Sequence, residues 1–163
     1  MPVTTDIVAA YRGPRRVMRR LLDMGAREGR VLAILMAGCL LTFIAQWPRL
    51  AREAHLSDQE LQPMLGGALM AWIFIMPLVF YLLAFLAYLI SRVAGAAQMT
   101  PYGARLALFW AFLAAAPLML LNGLVAGFVG PGPGLLAVGA VWLAVFAWFT
   151  LSNLYVAGWE REA

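Results

Sequence analysis

Between Arg105 and Glu160 the chain contains no Asp, Glu, Lys or Arg. A run that long holds enough apolar helix to cross a bilayer twice, provided that it reverses halfway. The pentapeptide Gly130-Pro131-Gly132-Pro133-Gly134 lies near its middle. Each proline lacks an amide donor and each glycine tolerates positive φ, so the pentapeptide ends one helix and permits a tight turn. A phosphate-binding glycine loop would need Gly-Lys-Ser/Thr and nearby cations, whereas Leu135 and Leu136 follow here.

Composition agrees. Hydrophobic residues make up 64% of the 163-residue chain and charged residues 12%, against about 45–50% and about 25% in soluble domains. A water-soluble domain of this size could not hide so much apolar surface, which points to one membrane-embedded unit. The single Cys39 and single His55 exclude an intrachain disulfide and a zinc site built by one chain. Cys39 reads as a small buried apolar residue.

A bilayer core of about 30 Å takes about 20 helical residues. The charge-poor runs predict four spans over residues 31–47, 68–91, 106–128 and 135–156, within a transmembrane domain of residues 31–157. The first is short, so Arg30 and Arg49 must snorkel outward. Trp47, Trp72, Tyr88, Tyr102, Trp110, Tyr155 and Trp159 fall near span ends, where amphipathic rings favour the interface. All twelve basic residues are Arg. Ten of them fall in residues 1–30, 92–105 and 158–163, and two, Arg49 and Arg52, in the loop 48–63. The positive-inside rule then places both termini in the cytoplasm, with residues 158–163 as a cytoplasmic tail. The first span lacks a small-residue cleavage site after it, so it is expected to remain in the mature protein. In the loop, Ser57-Asp58-Gln59-Glu60 reads as the capping box of the second helix rather than as part of a triad with His55.

Residues 1–30 form an arginine-rich segment. Pro14 suits the first turn of a helix. At 100° per residue Val17, Met18, Leu21, Leu22 and Met24 share one face, and Arg15, Arg16, Arg19, Arg20 and Asp23 the other. The apolar face of this amphipathic helix suits two places: the acyl boundary of the membrane, or the cytoplasmic ends of the chain's own spans. In the first, the arginines lie among anionic head groups at about 1 kcal/mol each. The sequence leaves both open, and gives nucleic acid little to bind.

None of the predicted spans contains Asp, Glu, His, Lys or Arg, the residues by which intramembrane catalysis and proton coupling would show themselves. No catalytic residue, cofactor or metal is expected. Asn122 is the deepest strong hydrogen-bonding group and should face another helix. Gly123 and Gly127 have the small-x-x-x-small spacing that lets a neighbouring backbone approach. Pro77 and Pro117 interrupt the second and third spans. Such kinks shape helices, and paired ones also occur at midplane transport sites.

Two stretches carry a resemblance. Ile7 to Leu22 has the form I-V-x-x-Y-R-x-P-R-x-V-x-R-x-L-L, and Ala104 to Leu124 reads A-R-L-A-L-F-W-A-F-L-A-A-A-P-L-M-L-L-N-G-L. Together, over roughly Asp6 to Val156, they resemble bacterial members of the Yip family of Ypt/Rab-interacting membrane proteins. The family usually has five predicted spans where four are counted here, and the acidic and aromatic motif of its eukaryotic members is not evident. The resemblance implies a non-enzymatic membrane protein and supplies no partner; together with the basic helix it points to a scaffold or adaptor of a bacterial inner membrane. From the basic helix itself, the expected partners are anionic lipids, another membrane protein or a second copy of the chain, reached through Arg15, Arg16, Arg19 and Arg20. A small carrier or channel-like subunit, or an accessory subunit of a larger complex, is the alternative.

Overall fold

The charge-free third of the chain becomes two long helices because Gly130 closes one and Pro133 opens the next. In the computed structural model, which describes residues 3–160, Gly130 has φ +91°. Its N–H reaches the Val125 carbonyl at 3.0 Å, the left-handed closure that a side chain would resist. The helices on either side are α6 (Pro101–Phe128) and α7 (Pro133–Trp159), each with proline in its first turn, where an amide would have no partner.

The other elements are α1 (Val3–Arg12), α2 (Pro14–Asp23), α3 (Glu28–Ser57), α4 (Leu61–Met70), a π-helical segment (Ala71–Ile75) and α5 (Met76–Val93). No strand occurs among the described residues. Four helical units are long and apolar enough to cross a membrane: Glu28–Ser57, Leu61–Val93, Pro101–Phe128 and Pro133–Trp159. The chain is an all-α, four-span membrane protein. Alternate connections put the start of α3, the end of α5, the start of α6 and the end of α7 together at one end, here called the arginine end. The α3–α4 link and the glycine-proline turn lie at the other.

Helix α6 is the core. In its most apolar stretch 56% of residues are buried, against 6% in α7. Large side chains such as Leu78, Phe128 and Leu136 stand exposed on the outside. In water that surface would drive aggregation, but lipid tails solvate it. Inside, Gly38 of α3 makes room for the Phe112 ring, with a Cβ built there falling 2.7 Å from it. The Phe80 and Phe112 rings meet at 4.3 Å.

The helices run past the expected spans. Beyond residue 47, where the first expected span ends, α3 continues through Pro48 to Ser57. Proline removes one donor, but the Leu, Arg, Glu and Ala residues that follow favour helix and propagate the turn. Asp58, at φ 55°, stops it. The capping box does not form: Ser57 is the last residue of α3 and its Oγ donates to the Glu53 carbonyl at 2.6 Å. Glu60 stands before α4 without a side-chain cap. The helix that carries the second expected span starts at Leu61, ahead of residue 68, with Pro63 in its first turn. The helices of the third and fourth expected spans begin at Pro101 and end at Trp159 respectively, because polar and small residues at a span end still continue the backbone ladder. Helix α1 lies where no separate element was expected.

Pro77 carries a local consequence. It cannot donate to the carbonyl one turn back, and its ring would clash there in a regular helix. The π turn just before it absorbs the misfit, with the Met76 N–H bonded to the Ala71 carbonyl.

Candidate functional site: the N-terminal cap

Helices α1 and α2 form a cap on the arginine end. The apolar face of α2 faces the chain's own bundle, because Val17, Met18, Leu21 and Leu22 are buried, Met18 completely. Its main neighbour is α7. Of the two places that the sequence left open for this face, the protein interior is the one it occupies. Met24, assigned to the same face, lies past the last helical residue and is exposed.

The four candidate arginines divide. Arg15 Nη1 lies 3.3 Å from Glu160 Oε1, and Arg19 donates to Glu160 Oε2 through Nη2 at 2.6 Å and Nε at 3.0 Å. Arg15 also sits over the Tyr155 ring, 4.8 Å from its centroid. Arg20 pairs with Asp6 of α1. Arg16 has no ion pair among the described residues, and the same holds for Arg12 and Arg27. Glu160 was not singled out in the sequence. Its one signal is that it closes the charge-free run at the point where α7 reaches the basic helix.

A second tier of contacts secures the α2–α3 connection. Arg30 Nη2 donates to the carbonyls of Leu21 (2.9 Å) and Gly25 (2.8 Å) and to the Tyr102 hydroxyl (2.7 Å). Arg105 pairs with Glu28 at 2.6 Å. These arginines serve the fold, and their charge also sits at the end where the positive-inside rule needs it.

Helix α1 is held by Ala10, which is buried, and by Tyr11, whose ring meets Phe149 edge-on at 5.1 Å. Burial raises the Tyr11 pKa above 10.0. Val3 and Val8 face outward, 51% and 61% exposed.

The packing residues lie elsewhere. Gly123 and Gly127 of α6 face α3. A Cβ on Gly123 would fall 1.8 Å from the Ala45 carbonyl oxygen, and one on Gly127 2.4 Å from Pro48 Cβ. Asn122 faces α7 near Gly139, with its Oδ1 buried and unpartnered. The interhelical hydrogen bond belongs instead to Asn153, whose Nδ2 donates to the Ala107 carbonyl at 3.2 Å. That role was missed, since nothing local distinguishes Asn153 from Asn122 before the α6–α7 register is known. Pro77 is buried and Pro117 exposed, so the two prolines occupy different environments.

Compared with protein-family models, with curated proteins and with solved structures, the chain shows no significant match.

Proposed function

We propose that the protein acts without catalysis, as a scaffold or adaptor of a bacterial inner membrane, with both termini and the α1–α2 cap in the cytoplasm. One observation carries this reading. The cap is seated on the bundle by buried apolar contacts and by the Glu160 clamp, so the membrane domain presents a preformed cationic surface rather than a loose tail. Pre-organisation lowers the cost of recognition, and cations at this end suit acidic partners and anionic lipid. The Yip-like form of Ile7–Leu22 supports the same role, since those residues build the cap.

A photo-reactive residue at the exposed Asp23 tests the adaptor role in intact cells. A discrete protein adduct that disappears when Met18→Asp undocks the cap is the expected result. Absence of any adduct, together with solute flux into reconstituted vesicles above that of empty ones, would replace the adaptor by a carrier.

A further inference from the structure

Helices α1 and α2 meet at Gly13, and their elbow encloses a cleft of about 360 Å³ whose lining includes Val8, Ala9, Arg12, Gly13 and Arg16. Arg15, Arg19 and Arg20 are engaged with Glu160 and Asp6, and Arg30 with backbone carbonyls. Arg12 and Arg16 both line the cleft, are exposed and have no anionic partner among the described residues. Two like charges around one small space repel, more strongly beside lipid than in water, and an anion between them removes the penalty. A Cβ on Gly13 would meet nothing within 4 Å, so the elbow leaves that space open.

The position narrows the anion. Tyr11, next to Arg12, touches Phe149 of α7, which precedes the clamp residue Glu160 at the end of that helix by eleven positions, or about 16 Å of helix. The elbow thus lies beside the apolar body of α7 rather than beyond its end. Val3 and Val8 present apolar surface on the same helix. We infer that the cleft binds the phosphate of an anionic phospholipid from the adjacent leaflet, between Arg12 and Arg16, with the glycerol end of the acyl chains against Val8 and Ala9. Recognition combines guanidinium–phosphate hydrogen bonding with apolar contact. The inference rests on the cap being the recognition element of the scaffold, and it moves the lipid contact from Arg15, Arg19 and Arg20 to Arg12 and Arg16.

Native mass spectrometry of the purified chain with phosphatidylglycerol or phosphatidylcholine tests it. The expected result is preferential retention of phosphatidylglycerol, reduced about tenfold or more in Arg12→Gln/Arg16→Gln and restored in Arg12→Lys/Arg16→Lys. Arg27→Gln/Arg92→Gln, which removes the same charge at the same end away from the cleft, should retain lipid like the wild type. Equal loss in both Gln pairs, or no loss in the first, overturns the site. Displacement of the lipid by millimolar inorganic phosphate would mark a free-anion site and overturn the lipid assignment. The Asp23 cross-link reads a protein partner, so the adaptor role stands or falls independently of these results.

Discussion

Gly123 of α6 lies directly against the backbone of Ala45 in α3, so close that a methyl group on the glycine would fall 1.8 Å from the Ala45 carbonyl oxygen. One turn on, Gly127 meets Pro48 in the same way. The obstacle is backbone or ring in both cases, and neither can rotate away.

Gly123→Ala and Gly127→Ala should therefore force the two helices apart. Overpacking of this kind costs about 1–3 kcal/mol, and more where the backbone must move. A lowered melting temperature in detergent is expected for each, with Gly134→Ala, where a Cβ meets nothing within 4 Å, as the tolerated control. If Gly123→Ala melted like the wild type, the close α3–α6 approach would be wrong.

Cap docking should depend on Met18 more than on Glu160. Met18 is completely buried, and truncating such a side chain to Ala costs about 2–5 kcal/mol. Arg15 and Arg19 are more than half exposed, and exposed pairs contribute about 0–1 kcal/mol, screened by salt. Hydrogen exchange of α2 amides should accelerate strongly in Met18→Ala and only modestly in Glu160→Gln, with the latter effect vanishing at high salt. The reverse ranking would mean that ion pairs hold the cap.

Tyr11 gives the cap a pH limit. Desolvation raises its folded-state pKa above the ordinary 10.0, so the protonated phenol is favoured in the folded state. Its contribution to stability is complete below about pH 10 and declines as pH rises from there through the higher folded value. Phenolate absorbance compared between wild type and Tyr11→Phe should show Tyr11 ionising late, and the alkaline loss of α1 protection should be smaller in Tyr11→Phe. An ordinary Tyr11 titration would refute the desolvation of its phenol.

At the turn end Arg52 closes α6, its Nη1 donating to the carbonyls of Gly127 at 3.2 Å and Phe128 at 3.4 Å. These carbonyls have no partner within the helix. Arg52→Gln should destabilise by about 1 kcal/mol and raise hydrogen exchange across residues 129–132, leaving the cap unaffected. Exchange changes confined to α2 would refute this assignment.

The four-span architecture was legible in the chain because ionised groups are costly in hydrocarbon: their absence from Leu106 to Trp159, and the glycine-proline run within it, leave little but a helical hairpin in lipid. The small-residue pair Gly123 and Gly127 was visible as a pattern, but α3 as its partner was not. The fate of Arg15, Arg16, Arg19 and Arg20 was undetermined, because helical periodicity says which residues share a face and nothing about what that face meets. Tertiary structure decided it. Folding α1 and α2 back brought Glu160 to Arg15 and Arg19, Asp6 to Arg20, and the bundle to Met18, contacts between residues up to 145 positions apart. Among the described residues the same fold leaves Arg12 and Arg16 without an acidic partner, and only the packed chain separates them from the arginines that have one.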